Sequence, residues 1–443
     1  MYWKWCYAAV LAVAVVPARA QDEELSKLRE ALRQLQQQVQ ELEKRVQEAE
    51  AKGGKAQEAA APAQPPPAQP GRAGGSNAFN PDISVILQGT AARSSLDPNT
   101  YQITGFAPSG GEVNPAPRSL NLGESELVIT SNVDPYFRGQ LVASLTPDSE
   151  VEVEEAFFQT LALGRGVTLK GGRFLSGIGY QNEIHQHAWD FQDAPLAYKA
   201  FLGGRLNDDG VQLRWLAPSE LFVELGGELA RGRSFPATDN NRNGANAWTL
   251  FGHVGGDIGE STAWRAGLSY LGASPQDRTF TDLNATQSFT GDSRTWIADF
   301  ILKWAPNGNS SVTNFKLQGE YFRREESGAL TFDTSSGDYS SRQSGWYLQA
   351  VYQFMPRWRV GYRYDRLDHG TVTNGLGLTA QDAPLLFTDY NPTRNTAMVD
   401  WSLTEFSRFR LQYAQDKSRA DLTDNQLLLQ YILSLGAHGA HRF

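Results

Sequence analysis

The chain closes on Leu427-Leu428-Leu429-Gln430-Tyr431-Ile432-Leu433-Ser434-Leu435-Gly436-Ala437-His438-Gly439-Ala440-His441-Arg442-Phe443. Taken in steps of two, Leu427, Leu429, Tyr431, Leu433, Leu435, Ala437, Gly439 and Phe443 form a mostly apolar row. Side chains of an extended chain alternate between two sides, so a period of two describes a strand with one greasy face. His441 breaks the row.

The same period runs back to about Asp82. In Thr295–Trp304, Trp296, Ala298, Phe300, Leu302 and Trp304 oppose Asp299 and Lys303. In Arg357–Asp365, Trp358, Val360, Tyr362 and Tyr364 oppose Arg357, Arg359, Arg363 and Asp365. In Arg408–Tyr413, Phe409, Leu411 and Tyr413 oppose Arg408, Arg410 and Gln412. A soluble sandwich hides its apolar face and punctuates it with small residues. Here that face is aromatic near the strand ends, as in the girdles of a membrane-spanning barrel. On this reading His441 lies at the headgroup level.

Sixteen strands are expected, near 82–92, 124–134, 136–145, 151–163, 166–175, 209–217, 219–231, 246–258, 261–273, 293–304, 311–324, 344–354, 357–368, 395–404, 406–416 and 425–443. Four of the short turns carry Pro135, Pro218, Pro306 or Pro356, which suit tight turns and not a central ladder. The opposite edge carries longer connections near 93–123, 176–208, 232–245, 274–292, 325–343 and 369–394. Short turns on one side and long loops on the other mark an outer-membrane barrel. An even count places both barrel ends in the periplasm. The expected fold is therefore all-β and transmembrane: a 16-stranded antiparallel barrel over 81–443, with a lumen wide enough for water.

The N-terminal part is different. Lys4, the apolar run Ala8–Val16 and Ala18-Arg19-Ala20 read as a signal peptide over 1–20. Cys6, the one cysteine, falls inside it, which excludes disulfides and thiol chemistry from the mature chain. No apolar run long enough for a membrane helix follows. Residues 21–50 carry a heptad, with Leu25, Leu32, Val39 and Val46 at one seam position and Leu28, Leu35, Leu42 and Ala49 at the other. This is read as a short periplasmic coiled coil; a lone amphipathic helix on the barrel is the alternative. Residues 51–80, rich in Pro, Ala and Gly, read as a linker. The net charge of −9 and the lack of a basic cluster argue against a nucleic-acid partner.

This order of parts resembles the phosphate-selective O/P family of trimeric outer-membrane porins. The most local likeness is Lys170-Gly171-Gly172-Arg173-Phe174 leading into Gly177-Ile178-Gly179-Tyr180. The resemblance implies a homotrimer and a third outer loop, here about 176–208, that folds inward as the constriction. The family's phosphate preference rests on basic residues at that point. This loop carries Glu183, Asp190, Asp193 and Asp208 against Lys199 and Arg205.

Inward positions follow from the period. The basic pore-lining candidates are Lys170, Arg214, Lys303, Lys316, Arg324, Arg357, Arg359, Arg363, Arg408 and Arg410, and the acidic ones Glu155, Asp299, Glu320, Asp365 and Asp416. A basic wall facing an acidic loop sets up a transverse field that orients solutes; charges paired across strands are the alternative. Glu183, His185 and His187 share one side of an extended loop, so His185 and His187 are candidate metal ligands. Equally, such histidines hydrogen-bond to hold a loop's shape. The expected function is a porin for small hydrophilic solutes or ions, with outer-membrane lipid as its surroundings and no cofactor. A metal (zinc) uptake receptor, and a barrel tethered to the cell wall through peptidoglycan contact, are the alternatives. A receptor needs a folded plug and more strands than this length provides. No Ser/His/Asp spacing, nucleotide loop or metal-ligand helix points to an enzyme.

Overall fold

The computed structural model describes residues 81–110, 113–146, 150–238, 242–283 and 285–436. The expected signal peptide, coiled coil and linker, and the end of the chain with His441 and Phe443, lie outside these residues.

Among the described residues, eighteen strands share one sheet. In chain order they are β1 (Asp82–Ser94), β2 (Ser119–Leu122), β3 (Ser125–Asn132), β4 (Phe137–Leu145), β5 (Val151–Thr160), β6 (Val167–Leu175), β7 (Asn207–Leu216), β8 (Phe222–Ala230) and β9 (Ala247–Ile258). They continue with β10 (Thr262–Ala273), β11 (Arg278–Asp282), β12 (Ala285–Trp304), β13 (Asn314–Phe332), β14 (Ser335–Met355), β15 (Trp358–Asn374), β16 (Thr393–Thr404), β17 (Ser407–Lys417) and β18 (Asp424–Gly436). Each strand pairs antiparallel with its neighbours, and β1 pairs with β18 from Ser84↔Gly436 to Ser94↔Gln426. The cylinder is closed, so no row of backbone N–H groups is left on an edge. Two strands are not full staves. β2 continues the edge of β1 beyond the end of β3, and β11 pairs with the first residues of β12. The other sixteen form the wall, an antiparallel 16-stranded barrel.

The period of two is visible around the wall. In β12, Trp296 and Phe300 face outward, more than 40% exposed, while Ile297 and Asp299 between them face inward and are buried. Outward rings gather at two levels. Trp358, Trp401, Phe409 and Tyr431 form a row near the short turns, at centroid spacings of 5.8, 6.1 and 4.6 Å. Trp248, Tyr270 and Trp296 form another row near the long loops.

Three expectations are corrected. Residues 325–343 are not a loop: β13 and β14 continue as a ladder to Phe332↔Ser335. Residues 285–292, placed in a connection, belong to β12. β15 runs on to Asn374. These extensions carry Ser, Thr, Gly and Asp on both sides, so they lack the apolar row that marks the staves below.

One local irregularity matters below. Val142 of β4 pairs with Glu155 and Ala143 with Val153, so Glu154 is the extra residue of a β-bulge. A bulge re-aims the side chain that would otherwise face away. Glu154 and Glu155 are both buried as a result.

Candidate functional site

The connection from β6 to β7 does not stay outside. It enters the barrel and crosses it. Its neck is closed by Ser176 N–H donating to Leu206 O at 3.0 Å. Asn182 bridges both sides of that neck, donating to Ser176 O and Leu206 O and accepting from Leu206 N at 2.7 Å. Glu320 on β13 accepts from the backbone N–H of Gln181 at 2.9 Å and from the Tyr198 and Tyr347 hydroxyls at 2.9 and 2.6 Å. Gly179 makes this approach feasible. Its φ is +64°, and a Cβ there would lie 2.3 Å from Glu320 Oε2.

The second half of the segment forms a short helix, α1 (Leu196–Leu202), whose seven residues are all buried. Asp365 on β15 accepts from Leu196 N–H at 2.9 Å, and Gly203 closes the helix in the left-handed region. Leu196, Tyr198, Phe201 and Leu202 pack against Phe251, Leu271, Ile297, Phe322, Tyr347 and Leu367 of the wall. Phe106, from the first long connection, completes this core with an edge contact to Phe201 at 5.8 Å. At the level of α1 the lumen beside β9–β15 is therefore packed and excludes water.

The first half is polar and is held by charges. Asp190 meets Lys316 and, at 3.3 Å, Arg359. Asp193 meets Arg394, Arg363 at 3.2 Å and Lys199 at 3.4 Å. Burial would raise the Asp193 carboxyl; Arg394, Arg363 and Lys199 outweigh it and hold it well below the usual range. Asp190 is lowered against burial in the same way by Lys316 and Arg359. Glu183 pairs with Arg214, which lies 5.1 Å from the Phe251 ring. Three wall arginines grip loop carbonyls: Arg408 on His187 O at 2.6 Å, Arg410 on Trp189 O at 2.7 Å and Arg363 on Asp193 O at 2.8 Å. Arg324 donates to Ala200 O under the helix.

Two cavities meet this polar stretch. One, of about 550 Å³, opens toward the short turns and is lined by Lys303, Lys316, Arg357, Arg359 and Arg408, with His187, Ala188 and Asp190 on the loop side. The other, of about 640 Å³, opens toward the long loops and is lined by Glu152, Glu154, Arg173, Arg205 and Arg233, with Gln186, Trp189 and Ala194 on the loop side. Residues 186–190 thus form the partition between them.

The basic positions read from the period fall into separate groups. Lys316, Arg357, Arg359 and Arg408 border the short-turn cavity. Arg324, Arg363 and Arg410 are 1% exposed or less and sit under the loop rather than facing water. Lys170 lies over the rings of Phe157 and Phe174, and Arg214 is tied to Glu183. The two histidines stack at 5.8 Å, but Glu183 is not with them. His187 Nδ1 lies 2.8 Å from Glu126, and His185 faces Glu126, Glu154 and Glu155. Burial disfavours the His185 imidazolium; these carboxylates outweigh it and raise the group above its usual value. Glu126, Glu154 and Arg394 escaped the sequence reading, as did Glu228, which accepts from Gly177 N–H at 2.8 Å, and Asp400, which pairs with Arg410 at 2.9 Å. Glu154 escaped because the bulge inverts its side, and the others because an inward charge does not announce its partner.

No protein-family profile matches the chain. Solved structures share the fold, among them the following two. A loop-deletion form of OmpT, an outer membrane protein of Vibrio cholerae, superposes with a TM-score of 0.51 at 12% identity, covering 81% of this chain and all of that one. The outer membrane channel DcaP of Acinetobacter baumannii superposes with a TM-score of 0.50 at 11% identity, covering 80% and 97%. At sequence level, an uncharacterized protein of Aquifex aeolicus (strain VF5) is 31% identical over 395 residues, which is 83% of this chain and 80% of that protein. On that identity and coverage, the chain belongs to the family of the Aquifex aeolicus protein.

Proposed function

We propose that the protein is an outer-membrane porin, a passive channel for small hydrophilic solutes or ions. The carrying observation is a closed barrel with two solvent cavities that reach one thin partition, residues 186–190, from opposite ends. Both can hold water, and a channel needs little more than their connection. The apolar outer surface and its two rows of rings support a membrane setting, with the short turns on the periplasmic side. The likeness to a barrel described as an outer membrane channel agrees with this reading.

The cavity on the short-turn side is lined by Lys303, Lys316, Arg357, Arg359 and Arg408 against Asp190 and Glu405. Such a field concentrates anions at that entrance. The heptad over 21–50 supports assembly of several copies, with a homotrimer as the reading that follows from the family resemblance.

Recording from the purified mature protein in a planar bilayer tests the reading. Discrete, ohmic conductance steps are expected, with reversal potentials on the anion side under a salt gradient. A correctly folded barrel that leaves the bilayer silent at every voltage would refute it.

A further inference from the structure

We infer that the partition carries a binding site for a first-row divalent cation of the zinc type, with Glu126, Glu154 and His185 as ligands. The geometry comes from three separate elements: Glu126 from β3, Glu154 from the bulge in β5, and His185 from the inserted loop. One donor atom from each of the three lies within 4.8 Å of the others.

The His185 ring shows which nitrogen is the ligand. Nε2 lies 3.0 Å from Glu155 Oε2, a hydrogen bond that places the ring proton there. Nδ1 is then the nitrogen left to take either a proton or, in its place, a metal ion. It points at Glu126 Oε2 at 3.5 Å and Glu154 Oε2 at 3.3 Å, and it makes no hydrogen bond to either. Glu126 Oε2 is likewise without a hydrogen-bond partner on a side chain that is 0% exposed. Two buried carboxylate oxygens that converge on one ring nitrogen call for positive charge between them, supplied by a proton on Nδ1 or by a metal ion that displaces it. The spacing suits a metal. Two bonds of about 2.0–2.2 Å at a tetrahedral angle hold their donor atoms about 3.4 Å apart.

The surroundings agree. Glu155, donating no ligand atom itself, orients the ring from behind, as a carboxylate does for a metal-bound histidine. Glu124, Glu126, Glu154 and Glu155 are all buried in this one corner of the wall, and Arg205 bridges two of them at 3.3 and 3.5 Å. Arg205, Lys170 beside Glu155 and the two imidazoles face these four carboxylates, and a divalent cation adds to that positive charge. Nitrogen and oxygen donors without thiolate favour zinc and its neighbours over calcium or copper(I). His187 is not a ligand here, because its Nδ1 is engaged with Glu126 Oε1 at 2.8 Å. Bound metal would staple residues 185–190 to β3 and β5.

Isothermal calorimetry with zinc chloride on the folded, full-length mature protein in detergent at pH 7.5 tests the site without reference to conductance. One zinc per chain is expected. His185→Asn and the pair Glu126→Gln with Glu154→Gln should lose that binding. Glu155→Gln, which keeps the ligands but frees the ring, should weaken it about 10–100-fold, and His187→Asn should leave it within a few-fold. Equal binding in His185→Asn, or loss of binding in His438→Gln/His441→Gln alone, overturns the proposal. Should the ligand variants fail to fold, carbethoxylation of the parent protein read by mass spectrometry replaces them. Zinc is expected to protect His185, and equal modification with and without zinc overturns the site.

Discussion

The two halves of the inserted loop enter one barrel by opposite physics. Leu196–Leu202 is a buried helix set into an apolar pocket on β9–β15, where it excludes water and gains from area removed from solvent. Residues 183–193 lie between two cavities and are held by arginines, lysines and carboxylates from at least five staves. The apolar half is held mainly by packing, with buried polar links at Leu196, Tyr198, Lys199 and Ala200. The polar half is exposed to screening and to titration, and each of its pins faces a particular partner. A loop built this way has a fixed anchor and a charged, water-bordering span.

The strongest way to break the anchor is Phe201→Ala. It removes a ring packed on Phe106 and Phe322 and should cost ~3–5 kcal/mol of loop docking. Hydrogen exchange of residues 176–206 measures it. The wall should keep its protection, since its ladder does not pass through Phe201. Loss of protection in β1 and β18 as well would show that loop and barrel fold as one unit.

Gly179→Ala tests the hinge between neck and helix. A left-handed φ costs an alanine ~1–3 kcal/mol, and the added methyl meets Glu320. Proteolysis within residues 183–193 should accelerate, while unfolding of the barrel in denaturant stays at the parental midpoint. Gly177→Ala is not a control, because its Cβ would meet Arg214 and Phe251.

The polar span is sharpened by a triple change, Arg357→Gln, Arg359→Gln and Arg408→Gln. Anion-over-cation permeability should fall about twofold or more at 0.1 M salt. The difference from the parent should shrink at 1 M, where the Debye length is only about 3 Å. Reversal potentials at both salt concentrations measure this. An unchanged ratio at low salt would remove these arginines from ion selection.

The smallest effect is expected from acid. Asp190 and Asp193 have carboxyls lowered in the folded state. Their contribution is present above the ordinary carboxylate range and is lost only as pH falls through the lowered folded values. Proteolytic protection of residues 183–193, assayed by brief acid exposure and return to neutral pH, should stay flat down to about pH 4. A step near the ordinary carboxylate value would show that these two pins are not ionised partners in the folded protein.

The barrel was legible because its signal is local and repeated. Trp296, Ala298, Phe300, Leu302 and Trp304 announce their common face by spacing alone, and the other staves repeat the message. Residues 325–343 hid their strands because Ser, Gly, Glu and Asp occupy both faces there, and alternation needs contrasting surroundings to show itself. Glu154 hid for another reason. A bulge of one residue inverts a face, and nothing in Val151–Thr160 marks where the ladder slips.

The charged residues divide along the same line. That Arg359, Arg363, Arg408 and Arg410 point inward follows from their neighbours in sequence. Which of them borders water and which is buried beneath a carbonyl of Trp189 or Asp193 depends on a loop some two hundred residues away. Away from the bulge at Glu154, the amino-acid order alone settled the side on which the residues of a stave lie, because strand geometry is set by adjacent peptides. Only the closed tertiary structure decided how the lumen is filled. Ion pairs such as Arg394–Asp193, and the meeting of His185 with Glu126 and Glu154, form across space between segments whose separation along the chain carries no record of it.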